Sequence, residues 1–305
     1  MRTPPRFDNP YSLPGRWWKV GVHIHTTNSD GHVSPERAVR IYRSLGYDAI
    51  AIADHNFITR PDGPRGRPLL IPSAEISGPP DILWLGAHGA GKTPIGGAGL
   101  QPTLDRIRSR GGLAVVAHPS WSDLLDRDLM SRRGLIAIEI YNSVAQDLNG
   151  RGSSVELWDH LLGRGKRVWG LADDDTHFGE WRGRPGRAWL WVKSPRLAVP
   201  DLLRAIRRGA FHGTTGPRIL AAEARRGILR LRTSPAARVH FVSAGIGAGS
   251  CMVAPKSRPA TRWEFDIMRG QLNVTRYARF EVIDSAGRCA WSNPLLVKGG
   301  GIRFW

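Results

Sequence analysis

Val22-His23-Ile24-His25-Thr26-Thr27-Asn28-Ser29-Asp30-Gly31 places two imidazoles two positions apart beside an apolar run, then a polar turn that carries a carboxylate. Side chains two positions apart on a strand share a face, so His23 and His25 point the same way. The turn can bring Asp30 back to the same place. Related fragments recur along the chain. Ala49-Ile50-Ala51-Ile52-Ala53 precedes Asp54-His55, Leu69-Leu70-Ile71 lies shortly before Glu75, and Leu113-Ala114-Val115-Val116-Ala117 precedes His118. Asp173-Asp174-Asp175-Thr176-His177 follows Val168-Trp169-Gly170-Leu171. Parallel strands closed into a ring end at one mouth, where residues distant in sequence converge. Converging imidazoles and carboxylates are the ligand set of hydrolytic metal ions.

Around these fragments, β-type apolar runs alternate with helical patterns, which predicts an α/β domain. Strands are expected at Lys19–Ile24, Tyr47–Ala53, Leu69–Glu75, Ile82–Gly86, Leu113–Ala117, Leu135–Ile140, Arg167–Leu171, Ala188–Val192 and Ala210–Thr214. Ser34-Pro35-Glu36 opens a helix that Gly46 closes. Further helices are expected at Thr103–Arg110, Ser154–Leu162 and Pro200–Arg208. After Pro217 the helical patterns stop and short alternating runs remain, with Asp284-Ser285-Ala286-Gly287 as a hairpin turn. The reading is an N-terminal extension over 1–16, a catalytic domain over 17–217 and a small β-sandwich over 218–305.

Taken singly, each fragment has a plain structural explanation. His-x-His alone is as well explained by exposed strand histidines. Glu139, within Ile136-Ala137-Ile138-Glu139-Ile140-Tyr141-Asn142, is a metal ligand or the partner of a helix arginine. Three successive carboxylates at 173–175 raise one another's pKa unless cations neutralise them. His88 is a ligand, a proton donor to a leaving group, or a loop histidine. His160, His212 and His240 read as structural.

The order of the fragments is more informative than any one of them. His-x-His with a following Asp, then Asp-His, Glu, His-Pro, Ile-Glu-x-Tyr-Asn and Asp-x-His resembles the PHP (polymerase and histidinol phosphatase) family over about residues 17 to 217. Gly209 to Pro217 and Trp291-Ser292-Asn293-Pro294 resemble a branch with a C-terminal β-domain that includes aryl-carbamate hydrolases. The resemblance implies a distorted (β/α)7 barrel holding two or three divalent ions. His23, His25, Glu75 and Asp175 would bind the first. Glu75 would bridge to a second held by His118 and Glu139, a position often His or Cys in the family. Asp30, His55 and His177 would hold a third.

A mixed imidazole and carboxylate set suits Mn, Fe or Zn. The implied function is a phosphoesterase using a metal-bridging hydroxide, with His88 as a possible proton donor and Arg65, Arg67, Arg182 and Arg184 as phosphate grips. An alternative keeps the ions and cleaves a carbamate, amide or carboxylic ester. The formal charge of +18, from 44 Lys+Arg against 26 Asp+Glu, favours an anionic small-molecule substrate and keeps a nucleic-acid-binding or nuclease module in view. An arginine-rich solvated surface explains the same charge. Two cysteines, no secretory signal and no apolar run of membrane length predict a cytoplasmic protein with no membrane partner.

Overall fold

The computed structural model describes residues 9–60, 66–96, 99–180, 183–225, 228–244, 249–256, 258–266, 277–298 and 301–302. The first part of the chain runs β1 (Arg16–Gly21), α1 (Pro35–Ser44), β2 (Ala49–Ile50), β3 (Phe57–Ile58), β4 (Leu69–Leu70), β5 (Ser73–Ile76), β6 (Ile82–Leu85) and β7 (Gly91–Lys92). There follow α2 (Leu100–Ser109), β8 (Leu113–Val116), α3 (Asp126–Met130), β9 (Leu135–Asn142), α4 (Ser143–Asn149), α5 (Val155–Gly163), β10 (Trp169–Asp173), β11 (Trp189–Ser194), α6 (Val199–Arg207) and β12 (Phe211–Thr214). The rest is all strand: β13 (Ile219–Arg225), β14 (Ile228–Ala236), β15 (Arg238–Ser243), β16 (Gly249–Val253), β17 (Ala260–Asp266), β18 (Tyr277–Ile283), β19 (Cys289–Ser292), β20 (Leu295–Lys298) and β21 (Gly301–Ile302).

Local chemistry accounts for the element ends. Ser34 Oγ accepts the Arg37 N–H at 3.3 Å and Pro35 opens α1, while Gly46 leaves the helix at φ 72°. Two helices escape the sequence reading. Both α3 and α4 are short, and α4 starts only because the Asn142 side chain accepts the Ala145 N–H at 2.9 Å.

The pairings in the first part form a circuit. β1 lies parallel to β2, and β2 to β4. The chain passes from β4 to β5, and then β5–β6–β8–β9–β10 form a second sheet. Isolated parallel bridges join His55 to Glu75 and Ile24 to Thr176, so the succession of neighbours returns to the segment leaving β1. The expectation of parallel strands throughout is corrected: β6 runs antiparallel to both β5 and β8, and β11 runs antiparallel to β1 and β12.

Alternate residues bury on opposite sides. Val20, Ala53, Leu83, Leu85, Val115, Ala117, Ala137 and Leu171 cluster together on one side. Ile82, Trp84, Ala114, Val116, Ile138 and Ile140 pack on the other with the helix residues Leu104, Ile107, Trp158 and Leu161. Each large buried side chain contributes about 1.5–3 kcal/mol of transfer free energy. The first set, extended by two residues at the strand ends, reaches His55, Asp81, Glu139 and Asp173.

The strands after Pro217 form two layers around a shared core. Leu229, Leu231 and Phe265 of one layer meet Val239, Phe241, Phe280 and Val282 of the other. One of these layers is continuous with the first sheet. β12 pairs with β19 through His212↔Ser292 and Thr214↔Ala290, and β19 pairs with β18. Asn9 Nδ2 donates to the Ala222 carbonyl at 3.0 Å, tying the N-terminal extension to β13.

Arg279 on β18 is 1% exposed in its side chain and binds Asp159 of α5 through Nε at 2.7 Å and Nη2 at 2.6 Å. Its Nη1 reaches Glu281 at 2.6 Å. Asp159→Ala leaves a buried guanidinium with Glu281 as its remaining carboxylate, and is expected to cost about 3 kcal/mol. Urea unfolding reads this as a lowered midpoint.

Candidate metal centre

His23, His25, Glu75 and Asp175 are all but excluded from solvent and face one point. His23 Nε2 lies 3.0 Å from His25 Nε2. Asp175 Oδ1 is 3.2 Å from each of these nitrogens, and Glu75 Oε2 is 3.3 Å from each. Glu75 Oε2 and Asp175 Oδ1 are buried without a hydrogen-bond partner among the described residues.

The first ring is oriented from behind. His23 Nδ1 donates to Glu139 Oε1 at 2.6 Å, which leaves Nε2 as the lone-pair nitrogen of the neutral ring. Glu139 Oε2 accepts the His118 N–H at 2.8 Å and the Asn142 amide at 2.9 Å. Asn142 also reaches Asp175 Oδ2 at 3.1 Å.

Two further groups adjoin this point. His177 Nε2 lies 3.2 Å from Asp30 Oδ2, and His25 Nδ1 lies 3.5 Å from Asp30 Oδ1, with His55 Nε2 at 3.8 Å. His118 Nε2 lies 3.2 Å from Glu75 Oε1. Close groups of His25, Asp30, His55 and His177, of His23, His25 and Asp175, and of Glu75, Asp81 and His118 could each hold an ion.

Burial opposes protonation of His25, but the Asp175 and Glu75 carboxylates beside it outweigh it and lift the ring to about 9. His118 rises to about 9 against the same burial, chiefly through Glu75. Burial works against Glu75 and Asp175 too, yet the histidines hold both carboxyls below their usual range.

The rest of Asp173-Asp174-Asp175 divides its tasks. Asp174 is a structural anchor, accepting from Tyr42 Oη and from the Gly186, Arg187 and Ala188 N–H groups at 2.7–2.8 Å. Asp54 likewise braces the His25 turn, accepting from the Thr26 N–H and hydroxyl, Ser29 and Thr59.

All nine metal-site positions named from the sequence meet in this cluster, but His88, Arg67 and Arg184 do not. His88 is exposed and follows the end of β6. Because that strand is antiparallel, its end points away from the mouth and its beginning, Asp81, stands beside His118. Arg67 binds Asp48 Oδ1 at 2.7 Å, at the strand-start end opposite Glu75. Arg184 is exposed and does not line the adjoining cavity, while Arg65 and Arg182 lie outside the described residues. Asp81 was missed by the sequence reading. Its signal is position, two residues before the inward pair Leu83 and Leu85.

The cavity beside the cluster has a volume of about 510 Å³. Trp121, Val144 and Leu148 give it an apolar wall, and the Trp121 ring packs edge-on to His118 with centroids 5.4 Å apart.

The sequence matches no family model and no curated protein. Among solved structures, a two-domain protein from Bacteroides vulgatus ATCC 8482 containing a predicted PHP-like metal-dependent phosphoesterase matches across 93% of this chain and 96% of its own. That match has a TM-score of 0.52 and 15% identity. An amidohydrolase from Chromobacterium violaceum, with bound sulfate and no metal, matches across 54% of this chain and 90% of its own at 14% identity and a TM-score of 0.39. The first likeness is one of fold. Among the described residues, no helix is long and apolar enough to cross a membrane.

The raised histidines set a stability profile for protein kept in chelator. Their folded values exceed the unfolded value of about 6.5, so their contribution is full below about pH 6.5. It is lost as pH rises through about 9. The depressed Glu75 and Asp175 contribute above their unfolded values of about 4 and lose this as pH falls. Chelated protein should therefore melt highest between about pH 4.5 and 6.5. A melting temperature that climbs steadily from about pH 6.5 to 9 contradicts this account.

Proposed function

We propose that this chain is a metal-dependent hydrolase that cleaves a phosphate ester. The observation that carries the reading is the meeting of two imidazole nitrogens and two unpartnered, buried carboxylate oxygens within 3.0–3.3 Å. Two ring nitrogens this close repel unless a proton or a cation lies between them. Adjacent ligands on one ion, each bonded at about 2.0–2.2 Å, have a similar separation. The donor set therefore fits a divalent ion.

On this reading His23, His25, Glu75 and Asp175 hold one ion. Asp30, His55 and His177 hold another, and Glu75 with His118 faces a further position. Mn, Fe and Zn suit the mixed donors. Bound ions supply Lewis acidity and a water acidified toward about pH 7. The chain's own part is to hold and orient. Glu139 fixes the His23 tautomer, Asn142 braces Asp175, and Asp54 locks the turn that presents His25 and Asp30. Trp121, Val144 and Leu148 line one side of the cavity with apolar surface.

That apolar wall also favours a second reading, hydrolysis of a carbamate, amide or carboxylic ester with an apolar leaving group. Side-by-side assay of p-nitrophenyl phosphate and an aryl carbamate separates the two.

The test is elemental analysis combined with phosphatase assays before chelation, after chelation and after Mn²⁺ restoration. Bound ions and Mn²⁺-restored phosphate release are expected. Bound ions without phosphate release would favour the second reading. His25→Ala and Asp175→Ala should each cut turnover by at least about 10²–10³-fold while the circular dichroism stays native. Full turnover in either would sink the assignment. Mn²⁺ should also reverse the pH profile of the chelated protein, because ligand imidazoles must be unprotonated.

A further inference from the structure

His55 lines a second cavity as well as the one beside the ion cluster. This groove has a volume of about 550 Å³ and carries Asn28, Asn56, Ser77, Lys92 and Thr93. Its chemistry is the reverse of its neighbour's. Asp30, Glu75, Asp81 and Asp175 line the first cavity, whereas among the described residues no carboxylate lines the groove and Lys92 supplies a cation.

The groove is built on a fixed floor. Asn56 follows His55 at φ 52°, a left-handed conformation that asparagine tolerates. Its side chain and Ser77 bind one another twice. Asn56 Nδ2 donates to Ser77 Oγ at 2.9 Å, and the Ser77 N–H donates to Asn56 Oδ1 at 3.1 Å. Ser77 Oγ also lies 3.1 Å from His55 Nδ1, so the same pair braces the groove and the imidazole beside it. Lys92 is presented by the β3–β7 ribbon, opposite Phe57, and the Thr93 N–H donates to the Asn56 carbonyl at 2.9 Å. Ile58 and Ile95 pin the ribbon into the core. The backbone is thus fixed beforehand, which lowers the ordering cost of binding.

A phosphate ester held at the ions leaves the rest of its molecule to lie in one cavity or the other. On the first path a second negative charge that does not reach an ion meets carboxylates and the apolar wall of Trp121, Val144 and Leu148, neither of which can partner it. On the second it meets an ammonium and the polar side chains of Asn28 and Thr93. We propose that the groove is a binding subsite for a second anionic group of the substrate, a phosphate or a carboxylate, and that Lys92 is the residue that selects it. The proposal rests on the reading of the chain as a phosphoesterase.

The test assays Mn²⁺-loaded, full-length protein on alkyl phosphates that match in length and differ at the far end, which is methyl, carboxylate, phosphate or ammonium. Several chain lengths are compared. An acidic end should raise kcat/KM over methyl at the length that spans the groove, and added salt should shrink the gain. Whichever acidic end gains more identifies the second group. Lys92→Ala should cut the ratio of acidic to methyl kcat/KM by about 10-fold, mostly through KM, as for the loss of a hydrogen bond to a charged group. Lys92→Arg should keep most of the ratio, and Lys92→Glu should turn the preference toward the ammonium end. No preference for an acidic end at any length overturns the proposal while the phosphoesterase reading stands. So does a preference that survives Lys92→Ala, or an equal fall on every substrate in that variant. No phosphate release from any substrate by the wild type overturns both.

Discussion

Carboxylates shut away from water constrain everything at the mouth of this fold. Glu75, Glu139, Asp173, Asp174 and Asp175 are all nearly or fully buried. An isolated buried carboxylate costs several kcal/mol even after relaxation, so each needs hydrogen bonds, a counter-charge or a proton. The chain meets the need differently each time. Asp174 is satisfied by a tyrosine hydroxyl and three backbone N–H groups, and Glu139 by an imidazole, an amide and a backbone N–H. Glu75 and Asp175 lean on imidazoles. Asp173 is met by the His23 ring at 3.9 Å, and burial, aided by Glu139, pushes its pKa far up.

Much of the fold was legible because its strands are covered on both sides. Apolar runs such as Leu113–Val116 leave little choice, and the capped start and glycine stop of α1 bracket that helix within the chain. Direction was not legible. Ile82–Leu85 reads the same whether it runs parallel or antiparallel, because periodicity carries no sign, and only the pairing with β5 and β8 decides it. The hairpin at Asp284 to Gly287 was plain from its turn residues, and Asp284 accepts the Gly287 N–H at 3.1 Å. The joining of β12 to β19 was not, since a pairing such as Thr214↔Ala290, between residues so far apart in sequence, leaves no local trace.

The site was legible to the same extent and for the same reason. Residues that end parallel strands, such as His55, Glu75 and His118, were found because an apolar run pointed to each. Asp81 precedes its run and follows Gly78-Pro79-Pro80, so it reads as part of a solvated turn. His88, read as a ligand, a proton donor or a loop histidine, follows a strand that runs antiparallel, so it lies away from the cluster. Arg67 lies elsewhere for another reason. A guanidinium can bind any nearby carboxylate, and Asp48 captures Arg67 at the wrong end of the sheet. Charge in a sequence reports composition, while location depends on partners that only folding brings close.

The C-terminal strands bear on the site through the interior of the sheet. Asn293, 7% exposed, accepts the Gly170 N–H at 3.1 Å and donates to the Gly209 and Phe211 carbonyls at 3.2 and 3.1 Å. A buried amide with its acceptor and both donors used fixes its neighbours in one arrangement, since any slip leaves polar groups unpaired. Gly170 lies on β10, the strand that ends at Asp173 and leads directly to Asp175 and His177. Trp291 stacks on Tyr141 of β9, the strand that carries Glu139 and Asn142. The two strands supplying the acidic side of the cluster are thus clamped by residues of the last segment. A substitution at Asn293 would disturb the cluster by moving β10, without touching a ligand.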